Sequence, residues 1–554
     1  MNINAGQLPP TIGRTMIMTD EKEITKDNII SVVAQAYDDH QKNVIDEIFL
    51  MDYERGKQPI LDRVKEIRPE INFNLVENRA AEIVDMHTGY CFSNPITLVQ
   101  RAKVEPGKDE ETKKKDNDNK GDDDKKIALL NKAFTEQAKG TKDIELARNL
   151  FICGVGYQMV LPIREKAKKR KYSPFEILVP NPLTTFVVYS NDAYRDPVLG
   201  CTYSVCKDGS IRLTAYSENL CFELERETKQ ATGFKLVTVK TDKIDNKGNV
   251  VFKESITTNV LGMIPIIEFS LNDRMGVFEK AIPILDAINL IDSDRINDIM
   301  QHVQSLLWMH NCGIDTEQKK KLVDGDGVIM TKSSGDGHEA KITYLNQTLD
   351  EAQVQTLVEH LTEVLEQITA TPSWKEASGG STTGAMQLSN GWQCLEISAK
   401  TVEQLFIGPE LRMIEIAIEI IKADKRPYDG LKDIEISDIE VRFCRTKTYD
   451  LVSKTNALVS LINAGVDGLT AFNTVGLFTD SQQAWLDSKK IIDGIQKKLT
   501  ATEEKKEDKP NDSGNVILNA NAFTDKDGKG GADNGKKDKT EESLQPSKVA
   551  GVTE

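Results

Sequence analysis

The stretch with the most chemical potential is Gly379-Gly380-Ser381-Thr382-Thr383-Gly384. It fills the first six positions of a phosphate-binding loop, G-x-x-x-x-G-K-[ST], whose backbone amides cradle phosphate oxygens. The pattern then fails, because Ala385 and Met386 stand where Lys and Ser/Thr are required. Without the Lys no charge meets the β- and γ-phosphates, and without the hydroxyl Mg²⁺ loses a ligand. No strand precedes the loop either. The stretch reads instead as a hinge followed by a helix, with Ser381 or Thr382 as N-cap.

Other candidates fail in similar ways. Gly154-Val155-Gly156 lacks the third glycine of a dinucleotide fingerprint and runs from helix to strand rather than strand to helix. Asp116-Asn117-Asp118-Asn119-Lys120-Gly121 starts like a calcium loop, but Lys120 sits where an oxygen ligand is needed and Ile127 where the bidentate Glu belongs. His40, His87, His302, His310, His338 and His360 show no H-x-x-x-H or H-E-x-x-H spacing, and no G-x-S-x-G elbow occurs. The eight cysteines form no C-x-x-C and read as buried free thiols in a reducing compartment. Carboxylate pairs are many, but on helix faces such charge is normally solvated. Asp292 differs, because it projects into an apolar stripe and calls for an Arg or Lys partner from a neighbouring subunit. The chain thus presents no catalytic, cofactor-binding or metal-ligating set, and is read as a non-enzyme.

The elements around the glycine-rich stretch are more informative. A first helix is expected over 279–310, with Ile282, Leu285, Ile288, Ile296, Ile299, Val303 and Leu306 on one stripe. Asp286, Asp294, Asn297, Asp298, Gln301 and Gln304 lie on its opposite face. A second helix over 349–369 places Val354, Leu357, Val358, Leu361, Val364, Leu365 and Ile368 on a stripe, with Glu359, Glu363 and Glu366 away from it. Between them, Gly325-Asp326-Gly327 is turn chemistry, and Val328–Met330 and Ile342–Tyr344 are short strands. Pro372 stops the second helix and Gly379-Gly380 delays the next. That third helix runs from about Thr382 to Ile421, broken or kinked at Gly408-Pro409.

The chain has 554 residues, 39% apolar, with 6% aromatics and a formal charge of -16. That length supports two to four domains. A net negative chain cannot grip nucleic acid over its whole surface, since tight binding neutralises phosphates with Lys and Arg. No apolar run is long enough to span a membrane, and residues 1–6 lack a secretory signal. Residues 1–24 read as a flexible arm, and Thr25 to Met51 as a helix. Ile71 to His87 is helical or mixed, and Pro95 to Val104 a strand. Residues 105–126 hold no apolar residue and read as a disordered insert. Ile127 to Phe151 is helical, Gln158 to Pro162 a strand, and Phe175 to Phe269 a β-rich run with hairpin turns at Asp208-Gly209 and Lys247-Gly248-Asn249. Leu431 to Cys444 suggests returning strands, and Thr448 to Lys490 helices. Residues 500–554 read as a disordered tail.

The order helix, β-insert, helix, loop, long helix resembles the core of tailed-bacteriophage portal proteins, the head-to-tail connectors. Two further stretches carry the resemblance. Asn78-Arg79 through Ile83-Val84-Asp85, Thr88-Gly89-Tyr90 and Pro95-Ile96-Thr97 is similar to the family's "N-R … IVD … T-G-Y … P-I-T" segment. Ser381-Thr382-Thr383-Gly384-Ala385 is similar to its "S-S-G-x-A" spine-helix start, with Thr383 in place of the second Ser. The resemblance spans about 43–492 and points to the type found in siphophages of Gram-positive hosts. It implies an α+β multidomain ring subunit: wing 25–275, first stem helix 276–310, clip 311–348 and second stem helix 349–370. A tunnel loop at 371–381 follows, then a spine helix with returning wing strands 382–447, a crown 448–499 and the tail 500–554.

The function so implied is a ring, twelve subunits in the virion, at the capsid vertex and assembled in the host cytoplasm. Double-stranded DNA is packaged and ejected through it without sequence readout. Its implied partners are the terminase large subunit, a head–tail adaptor, and the major capsid and scaffolding proteins, with no membrane and no cofactor. Candidate tunnel-loop contacts to DNA are Ser373, Trp374, Lys375, Glu376, Gly379 and Gly380. Candidate channel-lining residues are Asp286, Asp294, Asn297, Asp298, Gln301, Glu359, Glu363 and Glu366. Two other classes are alternatives: another oligomeric virion component such as a scaffold or adaptor, and a DNA-processing nuclease or ATPase. The second needs a clustered metal or phosphate site that the sequence does not show.

Overall fold

The computed structural model describes residues 13–66, 69–101, 126–163, 172–227, 233–244, 250–303, 306–310, 341–345, 351–373, 391–424, 431–443, 445, 451–478, 484–485 and 488–489. Helices and sheets are mixed, as an α+β chain requires, and two compact units separate near residue 451. The insert 105–125, its calcium-like stretch, residues 311–340 with Val328–Met330, the loop 374–390 and the tail 500–554 lie outside the described residues.

In the first unit the helices are α1 (Ile29–Glu54), α2 (Arg79–Phe92), α3 (126–136), α4 (Lys139–Cys153), α5 (Ile282–Val303), α6 (Glu351–Thr369) and α7 (Trp392–Ala423). The strands are β1 (Ile17–Thr19), β2 (Thr97–Gln100), β3 (Val155–Pro162), β4 (Phe175–Leu178), β5 (Thr185–Ser190), β6 (Pro197–Val205), β7 (Ile211–Tyr216) and β8 (Leu220–Arg226). They continue with β9 (Lys235–Leu236), β10 (Thr238–Ile244), β11 (Val250–Glu254), β12 (Ile256–Thr258), β13 (Ile266–Ser270), β14 (Leu306–His310), β15 (Lys341–Leu345) and β16 (Ile439–Arg442).

Two cores divide these elements. In the first, a sheet of order β1-β5-β6-β7-β8-β12, with β9 on β8, packs on the N-terminal half of α1. Ile29, Val32, Val33 and Ala36 of α1 bury against Phe186, Leu199, Leu213 and Phe222, which alternate inward as a half-buried sheet demands. The second core joins the C-terminal half of α1, α2, α4, α5, α7 and the sheet β13-β3-β4. β16 pairs antiparallel with β2. Gly154 caps α4 in the left-handed conformation, φ +76°, and a Cβ there would meet the Arg274 carbonyl carbon at 2.4 Å. The glycine that fails as a dinucleotide fingerprint is a helix C-cap.

Four expectations change. Residues 13–24 are not a free arm: β1 runs parallel to β5, Ile17 and Ile24 are buried, and the Arg14 guanidinium is fully enclosed. The unpatterned composition concealed this, because a short parallel edge strand needs few apolar residues. The first helix ends at Val303, and Leu306–His310 forms β14, paired with β15. A run of Leu, Leu, Trp and Met has no helical period, which favours the strand. The stretch expected as helical or mixed from Ile71 to His87 is helical only from Arg79, where α2 starts, and 72–78 forms no helix or strand. Finally, α7 runs through Pro409 unbroken, with Phe406 and Met413 buried on either side of it. Glu410, next to that proline, pairs at 2.8 Å with the buried Lys139, which also holds Asp143.

The second unit is helical in its described part, with α8 (Leu451–Asn463) and α9 (Gly468–Val475). The Asp467 carboxylate accepts from the Thr470 amide as the N-cap of α9, and Gly476 closes it at φ +56°. Leu458, Ala471, Phe472 and Val475 form its core.

Candidate functional site

The candidate site is the axis α5–α6 and the base of the loop that follows. Sequence periodicity presents α5 as an apolar stripe opposed by a free polar face. The apolar stripe is buried only in its first half: Ile282, Leu285 and Ile288 are buried, Ile296 is half-buried and Ile299 is 55% exposed. Burial then continues past the edge of that stripe through polar residues, toward the polar face. Asn289, Ser293 and Asn297, at i, i+4 and i+8, are 0%, 0% and 1% exposed. A strap over 72–78, outside any helix or strand, lies along them. The Phe73 amide donates to Asn297 Oδ1 at 2.7 Å, the Leu75 amide to Ser293 Oγ at 2.9 Å, and the Glu77 amide to Asn289 Oδ1 at 2.8 Å. Asn297 Nδ2 returns a bond to the Phe73 carbonyl at 2.9 Å.

The register has a simple cause. Four helical residues rise about 6 Å and two extended residues about 6.6 Å, so every fourth side chain of α5 meets every second amide of the strap. The strap finds its donors' partners on a helix rather than on a sheet neighbour, which satisfies its backbone without a β-ladder. Gln58 extends the ladder, accepting from Asn289 Nδ2 at 2.5 Å and donating to the Asn78 carboxamide at 3.1 Å.

The ladder corrects part of the proposed channel lining. Asn297 is enclosed by its own chain and lines nothing. Asp286 accepts from the Tyr53 hydroxyl at 2.8 Å. Burial raises its carboxyl above the ordinary range, a shift that the Tyr53 hydrogen bond opposes. Asp294 is partly exposed but held by Arg63 at 2.9 Å and Lys65 at 3.2 Å. Asp298 is half-buried, and the side chain of Gln301 lies outside the described set. Asp292 pairs with Arg295 one turn on, at 3.5 Å, so its partner comes from the same chain.

The second helix behaves differently. Glu359 and Glu363 are exposed and Glu366 half-buried. Arg295 of α5 donates to Gln355 at 3.2 Å, and Gln355 donates to Glu359 at 2.9 Å, tying α6 to α5. The apolar stripe of α6 is only partly covered by its own chain. Leu365 is buried, whereas Leu357 is 47% and Ile368 49% exposed.

The loop begins at Thr371-Pro372-Ser373, where Ser373 is half-buried. Trp374, Lys375, Glu376, Gly379 and Gly380 lie outside the described residues, as does the whole phosphate-loop-like stretch. The residues that sequence reasoning missed are Asn289 and Ser293, together with Gln58 and the strap itself. The signal was present as short neutral polar residues at four-residue spacing, which differ from the charged positions around them. Among the described residues no group of three or more His, Cys, Asp or Glu could hold a metal ion, and no helix is long and apolar enough to cross a membrane.

Comparison with known proteins gives one strong finding. The family model described as "Phage portal protein, SPP1 Gp6-like" matches residues 34–498. A chain from the solved structure "Virion of native gene transfer agent (GTA) particle" is 11% identical, with a TM-score of 0.38, covering 78% of this chain and 94% of that one. No curated protein matches.

Proposed function

We propose that this chain, which belongs to the SPP1 Gp6-like family of phage portal proteins, forms the ring through which double-stranded DNA enters and leaves the capsid. In this reading α5 and α6 are the stem, α7 the spine and the α8–α9 unit the crown. The β14–β15 pair opens the clip, where a terminase motor and then a head–tail adaptor would dock. The observation that carries the reading is the span of the family match, 34–498, which takes in the whole helix–insert–helix–loop–helix order.

Two features of the stem support it. The exposed stripe positions Leu357 and Ile368 are what a neighbouring copy would cover in a closed ring, since a heterologous contact repeated by rotation buries such a face on every subunit. Glu359 and Glu363 are exposed and in this reading face the channel, joined by the half-buried Asp298 and Glu366. A wall of carboxylates repels phosphate, so DNA passes without being trapped by ion pairs. Weak holding contacts fall to the loop, where Lys375 brings one positive charge opposed by Glu376.

The test has two arms. Electron microscopy of the purified protein should show rings with an axial hole of DNA width. Lys375→Glu should leave rings and empty proheads intact while impairing packaging or retention of DNA. Normal packaging and retention across a range of salt would remove the loop's charge from the reading. A compact monomer that cleaves DNA with divalent metal, or hydrolyses ATP without a terminase, would overturn the conduit itself.

A further inference from the structure

The ends of the loop between α6 and α7 are brought together and held by α2. Ala370 follows α6 in the left-handed conformation, φ +53°, and the Thr371 amide bonds back to the Glu366 carbonyl at 3.0 Å. The chain re-enters the described fold at Gly391, φ +80°, directly before α7. A Cβ built on Gly391 would lie 3.6 Å from Pro372 Cα and 3.7 Å from the Thr371 carbonyl oxygen. Where the chain leaves α6 and where it starts α7 are therefore close neighbours, within reach of a single added methyl group.

Neither end is held by the other alone. On the α6 side, His87 of α2 lies 2.8 Å from the Thr369 carbonyl oxygen through Nε2. A carbonyl only accepts, so Nε2 carries the proton and caps the last turn of α6. Ile83 and Arg79, one and two turns earlier on α2, line the same small cleft as Thr369, Thr371 and Pro372. On the α7 side, Tyr90 donates to Glu396 Oε2 at 2.6 Å, and its ring lies 6.1 Å from that of Trp392. Arg445, after β16, stands 5.5 Å over the Tyr90 ring, donates to Glu396 Oε1 at 3.3 Å and pairs with Glu403. His87 and Tyr90 are three residues apart, so one side of α2 reaches both ends.

We propose that His87 and Tyr90 of α2, with Arg445, form a clamp that fixes the end of α6 against the start of α7. They are positioning residues for whatever the intervening loop does. The proposal rests on the DNA-contact reading of that loop only for its functional consequence. The clamp itself stands on the described contacts. Joining two chain ends costs entropy, and the contacts of a clamp built on a third helix offset that cost without using loop residues. The loop's composition is then free to serve its contacts. The Thr88-Gly89-Tyr90 stretch, which sequence reading used only as a family mark, acquires a physical role.

The test uses the full chain as rings and as proheads. Tyr90→Phe keeps the ring and removes one charge-assisted hydrogen bond; Arg445→Gln removes the fork, and Arg445→Lys restores only its charge. Tyr90→Phe and Arg445→Gln should speed hydrogen exchange at the Cys394 and Leu395 amides, both bonded to the Gly391 carbonyl, by about tenfold. Amides of the β5–β8 sheet should be unchanged. Arg445→Lys should fall between wild type and Arg445→Gln. Both clamp variants should also lower DNA retention in the same direction as Lys375→Glu. Unchanged exchange at 394–395, or a rise spread evenly over the sheet, would overturn the clamp. Faster exchange at 394–395 with normal packaging in the clamp variants and in Lys375→Glu would uphold the clamp and overturn the DNA-contact reading. Defective packaging in Lys375→Glu alone, with unchanged exchange in the clamp variants, would do the reverse.

Discussion

The chain buries polar groups in two ways, and they sit at opposite ends of a stability scale. At the junction of the N-terminal segment, α1 and β13, the buried groups are charged. Arg14 pairs with Glu279 at 2.5 Å and Arg274 with Glu268 at 2.6 Å, while Glu47 lies buried in the field of both arginines. Along α5 the buried groups are neutral amides and hydroxyls matched to backbone. A charge taken out of water costs far more than an amide does, so the junction must be complete or fail as a whole. The ladder can lose one rung and open locally. A portal subunit has reason to use both. The junction ties residues 13–19 into the core, and the strap lies beside a helix proposed to line a moving substrate.

The largest separation between the two should come from breaking the junction. Arg14→Ala leaves Glu279 buried beside only the Gly13 and Gly276 amides, which donate to it at 2.9 Å each. A loss of about 3–5 kcal/mol in unfolding free energy is expected, read by denaturant titration. Combining Arg14→Met with Glu279→Gln should recover much of it, because both charges then leave together. Equal losses in the single and double variants would show that packing, not charge pairing, holds the segment.

Next comes pH. Burial pushes the Glu47 carboxyl up to about 8 from an ordinary 4.5, against the pull of Arg14 and Arg274. The native state therefore holds a proton that the unfolded chain releases above pH 4.5. The stability this group contributes is fully present below that pH and is lost as pH rises through 8. Glu47→Gln keeps the shape and removes the cost. It should match wild type near pH 4.5 and exceed it by roughly 3 kcal/mol at pH 7 to 8. Parallel pH profiles of melting temperature in variant and wild type would contradict a buried, protonated Glu47.

The ladder ranks third. Asn297→Ala strips partners from both polar groups of Phe73, and a cost of about 1–3 kcal/mol follows. The distinguishing sign is locality. Proteolytic nicking within 61–78 and exchange at the Phe73, Leu75 and Glu77 amides should accelerate well before global unfolding does. Ser293→Ala should do the same to a smaller extent. A purely global effect would place the strap in the same cooperative unit as the junction and erase the contrast.

These residues also show what the sequence could tell. The helices α1, α6 and α7 were legible because each is long and periodic, and the Asp208-Gly209 turn fixed the β6–β7 hairpin. The polar face of α5 was legible as polar but not as buried. Periodicity reports which residues avoid each other, not which face finds a partner, and the strap that covers Asn289, Ser293 and Asn297 has no period of its own. Residue type was the missed discriminator: neutral Asn and Ser went inside, while Asp298 stayed half-buried and Asp294 partly exposed beside Arg63 and Lys65. The pairing of Arg14 with Glu279 was not legible at all, since those residues lie 265 positions apart. The order of the helices came from periodicity, and the family resemblance drawn from it over about 43–492 agrees with the family match over 34–498.

The smallest effect on stability, and the sharpest test of the contrast, belongs to α6. Glu359 and Glu363 are exposed polar residues on a helix whose sequence design matches that of α5. If the inside–outside rule read from α5 holds, these charged side chains carry no fold and all of their effect is on what passes by. Glu359→Gln with Glu363→Gln should change unfolding free energy by no more than about 0.5 kcal/mol, as for exposed charge in general. Rings should form as before. The expected change is electrostatic. With two fewer negative charges per subunit, the repulsion of phosphate weakens, so binding of free duplex to rings should strengthen at low salt. Because exposed charges are screened beyond about 10 Å at 0.1 M salt, that gain should fade as salt rises. An Asn297→Ala ring should show no such gain, since Asn297 is enclosed and uncharged. If the α6 variant binds duplex no better than wild type at low salt, these carboxylates do not face the DNA path, and the channel wall must be sought on another helix face.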